Sequence, residues 1–446
     1  MTRIAVSRLP KDPGPAGWNR ILPEPEPAQV LEDDQTADWL VIGAGFAGLA
    51  AARRLSQNCP GDRIIVLDAT RVGDGPAGRN SGFMIDLPHD LSSSSYGGEA
   101  EANRAEIADN RAGIAFAAEM AEAFELSPEA FSKSGKINAA ATERGLRANR
   151  AYASHVRGIG EACDHIDADG MQKITGSDYY RGGLFTPGVA VIQPAMFVRG
   201  VASGLRSNRV AIFENSPVTA LERQRDWVAT TPKGRVTAPR VILAVNGHLN
   251  SFGFFKGRFL HVFTYASMTR ALREDEAARL GGRPAWGVTS ADPMGTSVRR
   301  ISGEGGDRIV VRNRFTCDPS MEVTNARIDR VAKDHDRAFR ARFPMLGDVA
   351  MEHRWGGRLC VSLNNVQVVR EVETGLFSAC CQNGLGTAKG TLAGMLAADL
   401  ATGRQSEALS RAIASRAPTR LPPAPLTSLG ANARMRLGER RAGREI

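Results

Sequence analysis

The sequence lacks the features that mark membrane, secreted and metal-binding proteins. No stretch reaches 18 uninterrupted apolar residues, and the nearest candidate, 39–52, contains three glycines, so no transmembrane span is predicted. The N-terminus has neither the apolar core nor the cleavage site of a secretory signal. Six cysteines among 446 residues form no CxxC pair, and the seven histidines do not cluster, so neither a disulfide framework nor a metal site is expected. We therefore expect a reduced, cytoplasmic protein without stable membrane insertion.

Positive charge is concentrated in one segment. The net charge is +9, and the segment 404–446 carries nine arginines and three glutamates. No aromatic residue is interleaved with these arginines, which disfavours a stacking site for nucleic acid. We expect no nucleic-acid partner and a solvated or self-packed tail. A patch for an anionic partner or a membrane surface is the alternative.

A strand, a glycine-rich turn, a helix and a second strand follow one another over residues 38–68. The hexapeptide 43–48 (GAGFAG) follows the first apolar run, and Asp68 ends the second one about 20 residues later. Gly43 permits the tight turn, Gly45 admits a pyrophosphate, and Gly48 allows close packing of helix and strand. The spacing predicts a dinucleotide site with phosphates at the helix N-terminus and a ribose at Asp68.

This fingerprint alone does not separate NAD from FAD, but two later segments favour FAD. Residues 71–82 form a second glycine-rich loop directly after the acidic strand, and a third strand–glycine–helix junction lies at 382–392. A ligand contacted near both ends of the chain is a large one. We therefore expect FAD, with its flavin ring over one junction and its adenosine over another.

These segments resemble the FAD-dependent D-amino-acid oxidase superfamily, which includes glycine and sarcosine oxidases. The chain looks most similar to amine oxidases of the gamma-glutamylputrescine oxidase type, from about residue 38 to its end. The matching stretches are Val41–Arg53, Gly78–Gly82, Gln193-Pro194, Pro217–Leu221, Val241–Leu249, Trp355–Gly357 and Gln382–Gly394.

The resemblance implies an α/β (α+β) fold in which a Rossmann-like FAD-binding domain is combined with a mixed-sheet substrate domain. Both domains are expected to be discontinuous in sequence. The predicted ranges are an extended N-terminal arm at 1–36, an FAD-binding domain at 37–105, 186–250 and 352–446 with a basic extension at 404–446, and a substrate domain at 106–185 and 251–351.

FAD is expected to be held non-covalently, because Cys360, Cys380 and Cys381 do not fall where covalent relatives carry the linking cysteine. The fingerprint and the resemblance together predict its contacts. These are Gly43, Ala44, Gly45, Phe46, Ala47, Gly48, Asp68, Ala69, Gly78, Arg79, Asn80, Ser81, Gly82, Val218, Asn246, Gly247, Asn383, Gly384, Leu385, Gly386, Thr387 and Lys389.

Lys389 is also the first candidate for a catalytic residue, since it follows the third glycine-rich loop, where the family places the flavin. A cation there could stabilise the reduced flavin, assist its reoxidation or hold a substrate carboxylate. His261 and Tyr265 are further candidates.

Four arginines are candidates for binding a substrate carboxylate, which suits the bidentate guanidinium. Strand alternation sends Arg299 and Arg300 to opposite faces, so at most one of them faces the flavin. Arg299 is the predicted contact. Arg312 and Arg314, on the next strand, are the other two candidates, and for them too the sequence leaves open which one faces the flavin.

The resemblance implies hydride transfer from the carbon next to an amine nitrogen to flavin N5, hydrolysis of the imine, and reoxidation by oxygen to hydrogen peroxide. The expected substrate is a secondary amine or N-substituted amino acid, such as an iminodiacetate-like, opine-like or N-alkyl glycine compound. A gamma-glutamyl polyamine oxidase, a dehydrogenase that donates electrons to a quinone, and a flavin-binding protein without turnover are the alternatives. A polyamine substrate predicts acidic residues around the flavin, whereas a dicarboxylate predicts arginines.

Overall fold

The structure is a computed structural model that describes residues 2–88, 99–423 and 425–446. The described residues form eleven α-helices: α1 (Gly17–Arg20), α2 (Phe46–Asn58), α3 (Ala100–Ala123), α4 (Glu143–Gly158), α5 (Ala168–Thr175), α6 (Pro194–Leu205), α7 (Glu274–Leu280), α8 (Asn325–Arg342), α9 (Ala388–Ala401), α10 (Glu407–Ala414) and α11 (Leu426–Ala442). The same residues form twenty-two strands: β1 (Thr2–Ala5), β2 (Gln35–Thr36), β3 (Trp39–Ile42), β4 (Ile64–Leu67), β5 (Phe83–Met84), β6 (Phe131–Ser132), β7 (Lys136–Ala140), β8 (Asp164–Asp167), β9 (Gly182–Thr186), β10 (Ala190–Ile192), β11 (Val210–Phe213), β12 (Ala220–Arg223), β13 (Trp227–Thr230), β14 (Arg235–Ala238), β15 (Arg240–Leu243), β16 (Leu260–Thr269), β17 (Trp286–Ser290), β18 (Ser297–Ile301), β19 (Arg308–Cys317), β20 (Met351–Val361), β21 (Val368–Glu373) and β22 (Leu376–Cys380).

A six-stranded sheet forms the centre of the cofactor-binding half. Its strand order is β11-β4-β3-β15-β22-β21, and all neighbours are parallel except β21 and β22. β3 and β4 are apolar and buried along their whole length, as parallel strands covered on both faces are. Trp39 and Val41 pack into one core cluster, whereas Leu40 and Ile42 pack into another. The βαβ unit predicted over 38–68 is therefore confirmed as β3, α2 and β4.

Helices α2 and α9 cross one face of this sheet at close range. A Cβ atom on Gly394 would lie 1.9 Å from the carbonyl oxygen of Ala47, so only glycine fits at this crossing. The guanidinium of Arg54 in α2 binds both carboxylate oxygens of Asp399 in α9, at 2.6 and 3.2 Å. This pairing fixes the helix that follows the third glycine-rich loop, which the sequence predicts at the same position.

An eight-stranded mixed sheet forms the other half, with the order β20-β16-β19-β18-β17-β7-β9-β8. β17 and β7 are parallel, and the other neighbours are antiparallel. Ile328 and Val331 of α8 pack against the buried rings of Phe263 and Tyr265 in β16. The predicted mixed-sheet half is confirmed, although the short helix α7 interrupts the region 258–315, for which the sequence predicts strands.

The N-terminal arm is more deeply packed than the sequence predicts. The proline-rich composition of 1–36 favours an extended arm over the surface, but the described part contains β1, α1 and β2. β1 and β2 are the outer strands of a five-stranded sheet, β1-β12-β13-β14-β2. Trp18 and Leu31 are fully buried, because each finds an apolar partner in the body of the protein. Strands β5, β10 and β6 form a further small sheet.

Strand pairing and helix packing divide the chain differently from the predicted domain ranges. β20 pairs with β16 and so belongs to the eight-stranded sheet, although 352–446 is the predicted FAD-binding segment. α3 packs against α9, although 106–185 is predicted as substrate domain, and α11 packs against β19 of the substrate half. Residues 89–98, within the predicted range 37–105, and residue 424 lie outside the described residues.

The basic C-terminal segment is anchored in the half that contains the eight-stranded sheet. Glu445 is buried, and its carboxylate accepts hydrogen bonds from the backbone nitrogens of Ala141 and Thr142, each at 3.0 Å. Glu439 is also buried and accepts a hydrogen bond from Arg314 at 3.0 Å. These contacts agree with a self-packed tail.

Candidate active site

A cleft of about 1490 Å³, partly open to solvent, lies at the carboxyl ends of β3, β4, β15 and β22. Open parallel sheets bind their ligands at this edge. We call it the cofactor cleft. The predicted contacts that line it are Gly43, Ala44, Gly45, Phe46, Ala47, Asp68, Ala69, Asn80, Ser81, Val218, Asn246, Gly247, Gly384, Gly386 and Thr387.

The glycine-rich turn after β3 is shaped by two close backbone contacts. Gly43 has a φ of +106°, and a Cβ atom there would lie 2.6 Å from the carbonyl oxygen of Ala244. A Cβ atom on Gly48 would lie 1.7 Å from the carbonyl oxygen of Gly43. Gly48 therefore fixes the turn from outside the cleft. No described side chain caps α2 at Gly45, so its N-terminal N–H groups are available to phosphate oxygens.

Asp68 lies at the end of β4 and joins two loops of the cleft. Its Oδ2 accepts a hydrogen bond from Ala44 N at 2.7 Å, and its Oδ1 accepts one from Thr70 N at 2.9 Å. Burial raises the pKa of Asp68, and these hydrogen bonds act in the opposite direction. The carboxylate is therefore held rigidly where a ribose is predicted to bind.

A second, smaller cavity adjoins the cofactor cleft, and Asn80, Ser81 and Phe83 line both; its volume of about 350 Å³ includes space open to solvent. We call it the arginine cavity, because three of its lining side chains are guanidinium groups. None of the described residues that line it is an aspartate or a glutamate. Its walls are Arg79, Asn80, Ser81, Phe83, Thr264, Tyr265, Ala266, Ser297, Val298, Arg299, Val310, Arg312 and Trp355.

Arg299, the predicted carboxylate contact, is buried, with 7% of its surface exposed. Its Nη1 donates to the carbonyl oxygens of Ile192 at 2.6 Å and Ser81 at 3.2 Å. Its Cζ lies 5.2 Å from the ring centroid of Trp18 and 5.8 Å from that of Phe83. Burial lowers the pKa of Arg299 to about 10, so it stays charged at neutral pH. Among the described residues, its Nε has no hydrogen-bond partner.

Arg299 and Arg300 point to opposite sides of β18, as strand alternation requires. Arg300 points away from the cavity and binds Asp307, with an Nε–Oδ1 distance of 2.9 Å. Arg314 does not line the cavity: it is the extra residue at a bulge of β19, with a φ of +62°, and it binds Asp334 at 2.8 Å. Arg312 lines the cavity.

Arg79, predicted as a cofactor contact, lines the arginine cavity instead of the cofactor cleft. Its guanidinium donates to three carbonyl oxygens, those of Asp74 at 2.7 Å, Gly356 at 3.3 Å and Gly14. Burial lowers the pKa of Arg79.

Tyr265 lines the arginine cavity, and its hydroxyl lies 2.5 Å from Thr316 Oγ1. Burial raises the pKa of Tyr265, so its hydroxyl stays neutral. His261 lies behind the cleft wall, where its Nδ1 would be 3.0 Å from a Cβ atom on Gly247. Burial lowers the pKa of His261 to about 4.

Lys389 lines neither cavity. Its Nζ lies 2.7 Å from Glu106 Oε1, so the ammonium is engaged by a carboxylate from α3. The role at the flavin stays a prediction. The other predicted contacts outside the cofactor lining are Gly48, Gly78, Arg79, Gly82, Asn383 and Leu385.

Three parts of the lining are absent from the predicted cofactor contacts. Residues 6–10 of the N-terminal arm contribute Val6, Arg8, Leu9 and Pro10 to the cofactor cleft. His248 and Arg358 also line it, and burial followed by the charge of Arg358 lowers the pKa of His248 to about 3. Only the Asn-Gly-His ending of the strand near 245 pointed towards His248.

Cys360 lines the cofactor cleft, although the sequence gives it no role there. Burial raises the pKa of its thiol well above the usual value, which disfavours the nucleophilic thiolate. Non-covalent binding of FAD stays a prediction. Within the described residues no group of three or more potential ligands could hold a metal ion. No helix in the same residues is long and apolar enough to cross a membrane.

The sequence profile of the FAD dependent oxidoreductase (DAO) family matches residues 38–400. The chain belongs to this family. The predicted enzyme class and the FAD cofactor are thereby confirmed.

Individual relatives agree with this assignment. The chain is 25% identical to gamma-glutamylputrescine oxidoreductase of Escherichia coli (strain K12) over 390 residues, covering 84% of this chain and 86% of the relative. Glycine oxidase from Geobacillus kaustophilus has a similar fold, with a TM-score of 0.68, 18% identity, and coverage of 84% of this chain and 96% of that chain. Iminodiacetate oxidase from Chelativorans sp. BNC1 gives a TM-score of 0.63, 15% identity, and coverage of 83% and 96%. The predicted superfamily resemblance is confirmed.

Proposed function

We propose that this protein is an FAD-dependent oxidase of a secondary amine or N-substituted amino acid that carries one or two carboxylates. The observation that carries this proposal is the arginine cavity. It adjoins the cofactor cleft, contains three guanidinium groups and is lined by no described carboxylate. A cavity of that charge favours an anionic ligand over a cationic one.

The residues of the cofactor cleft fit FAD. The N-terminus of α2 would hold its phosphates, and Asp68 a ribose hydroxyl. The loops 80–81 and 384–387 would hold the ring end, because loop 80–81 also borders the arginine cavity. When bound, FAD accepts a hydride from the carbon next to the substrate nitrogen.

Two arginines would orient the substrate. Ser297 pairs with Arg312 across strands β18 and β19, and Arg299 lies two residues along from Ser297 on the same face. Both guanidinium groups therefore line one wall of the cavity. This arrangement suits two carboxylates of one small molecule, as in iminodiacetate-like or opine-like substrates.

The remaining walls are largely apolar and would limit water around the reacting carbon. Trp355 is fully buried, and its Nε1 donates to the carbonyl oxygen of Arg79 at 3.0 Å. Val310 and Ala266 complete this side. Exclusion of water strengthens the interaction between a substrate carboxylate and Arg299.

Among the alternatives, a gamma-glutamyl polyamine would place its cationic chain among these arginines. Because the chain is similar to gamma-glutamylputrescine oxidoreductase of Escherichia coli, this substrate class is the second candidate. We propose oxygen as the final electron acceptor, with hydrogen peroxide as the product. A quinone acceptor is distinguished by the same experiment that identifies the substrate.

The test is an anaerobic titration of the purified yellow protein with a panel of amines. The panel contains iminodiacetate, sarcosine, opines, D- and L-amino acids and gamma-glutamylputrescine. We expect the carboxylated secondary amines to bleach the flavin band near ~450 nm, and air to restore it with release of peroxide.

Bleaching by gamma-glutamylputrescine alone would replace the proposed substrate class by the alternative. Bleaching that only an artificial acceptor or a quinone reverses would replace oxidase by dehydrogenase. A flavin that none of these compounds bleaches would contradict the proposed function.

A further inference from the structure

We propose that the N-terminal arm, residues 2–22, is a working part of the active site: it closes the cofactor cleft with residues 6–10 and positions Arg299 through Trp18. The family profile matches from residue 38, so this arm lies outside the matched region. The role of Trp18 rests on the function proposed above, whereas the closure of the cleft does not.

The first contact is a strap across the cofactor cleft. β1 pairs with β12, Val6 N donates to Thr219 O at 2.9 Å, and Ser7 N donates to Ser251 O at 2.9 Å. Arg8 then reaches the carbonyl oxygen of Ser320, which follows β19 of the substrate half. The arm thus runs from the cofactor-binding half to the substrate half over the cleft.

The strap contributes directly to the lining of the cleft through Val6, Arg8, Leu9 and Pro10. Leu9 remains 39% exposed to solvent. One side of Leu9 therefore faces solvent, and its other side lines the cleft that the arm covers. A ligand that leaves the cleft on this side must displace the arm, so the arm is expected to slow the release of FAD.

The second contact reaches the arginine cavity. Trp18 is fully buried, and its Nε1 donates to the carbonyl oxygen of Asn80 at 2.8 Å. The carbonyl oxygen of Trp18 accepts from Gln193 Nε2 at 2.9 Å. Its ring lies 5.2 Å from the guanidinium carbon of Arg299 and 6.2 Å from the ring of Trp355.

Two further bonds tie the same segment to the loop that borders both cavities. Asn19 Nδ2 donates to Gly73 O at 2.7 Å, and Arg79 donates to Gly14 O. A Cβ atom on Gly17 would lie 2.7 Å from Trp355, which shows how tightly this segment is packed. Trp18 is therefore a positioning residue for Arg299 and for the loop at Asn80.

The test of the strap measures the release of FAD. The holoenzyme is diluted, and the fluorescence of released FAD is followed for the wild type, a variant without residues 2–11, and the double variant Leu9→Ala/Pro10→Ala. The double variant keeps β1 and its pairing, so it remains informative if the deletion does not fold. Arg3→Ala is the matched control, because Arg3 lies on the same arm in an exposed ion pair with Glu222 at 2.9 Å.

We expect release to be at least about tenfold faster in the deletion and several-fold faster in the double variant, with Arg3→Ala like the wild type. The strap would be overturned if the double variant released FAD at the wild-type rate and the deletion either released FAD at that rate too or did not fold. Release of FAD from Arg3→Ala as fast as from the double variant would also overturn the strap.

The test of Trp18 compares Trp18→Leu with Trp18→Phe. For the substrate found in the anaerobic panel, we expect KM to rise about tenfold in Trp18→Leu with kcat changed less than about twofold. Trp18→Phe keeps the ring face beside Arg299 and should recover most of the lost affinity. Equal effects of both variants on kcat, or an unchanged KM in Trp18→Leu, would overturn the positioning role.

The two outcomes remain distinct from those of the proposed function. If no carboxylated amine bleaches the flavin, the proposed function fails, and with it the role of Trp18. The strap is then judged by FAD release alone, which requires no substrate.

Discussion

The cofactor cleft and the arginine cavity share a wall but are built in opposite ways. The cleft is shaped mainly by main-chain turns, and a Cβ atom at Gly43 or Gly48 would collide with a carbonyl oxygen. The arginine cavity is shaped by long side chains from β16, β18, β19 and β20. A main-chain turn changes only when the backbone moves, whereas side chains on a sheet can be exchanged singly. Under the proposed function, the cleft sets the chemistry and the cavity sets the substrate.

The largest effect is expected from a change that breaks the turn of the cofactor cleft. In Gly48→Ala, the added methyl would lie 1.7 Å from the carbonyl oxygen of Gly43, so the turn must move. Overpacking of this kind costs about 1–3 kcal/mol, and so short a contact lies at the upper end, so we expect FAD to bind about 100-fold more weakly. The measurement is the flavin absorbance retained after gel filtration.

Gly158→Ala is the matched control, since a Cβ atom at Gly158 meets nothing within 4 Å. It should retain FAD fully. A Gly48→Ala protein with normal FAD content would show that the cleft tolerates a moved turn, and would remove the distinction between the two cavities.

A smaller and different effect is expected in the arginine cavity. Arg299→Met removes the buried charge but keeps an apolar chain beside Trp18 and Phe83. Loss of a charged hydrogen bond to a carboxylate costs about 1.5–3 kcal/mol, so KM should rise roughly 10- to 100-fold. FAD content should stay at the wild-type level. Steady-state kinetics and the visible spectrum measure both.

Arg300→Met sharpens this prediction, because Arg300 is the next residue on β18 and points to Asp307. It should lower thermal stability and leave KM unchanged. If both variants raise KM equally, the effect comes from distortion of the strand, and Arg299 has no direct contact with substrate.

The smallest effect on turnover is expected at Lys389, which lies outside both linings. Its ion pair with Glu106 joins α9 to α3, so Lys389→Met should cost about 1–2 kcal/mol of unfolding free energy. Glu106→Gln should cause a similar loss. Stopped-flow reoxidation by oxygen should remain within about twofold of the wild type. Markedly slower reoxidation in Lys389→Met alone would support the role at the flavin predicted from sequence.

The sequence predicts the cofactor cleft well because its determinants are local. Gly43, Gly48 and Asp68 belong to one βαβ unit, which the structure forms as β3, α2 and β4. Each of these elements depends on residues within about 30 positions of one another.

The arginine cavity could be predicted only as a set of alternatives. Alternation along β18 shows that Arg299 and Arg300 face opposite sides, but only the pairing with β19 and the contact with Ser81 decide which side borders the flavin. The contacts of the N-terminal arm could not be predicted either, because they too depend on residues distant in sequence. Nothing in the residues around Trp18 indicates that its partners lie near positions 80, 299 and 355.

The two buried histidines near the cofactor cleft have a consequence for how activity varies with acidity. With pKa values of about 3 for His248 and about 4 for His261, both are uncharged across the physiological range. Such weak bases do not take a proton from an ammonium group. Neither imidazole therefore serves as the base for an ammonium substrate, and the observed rate should show no titration step of these two histidines near neutral pH.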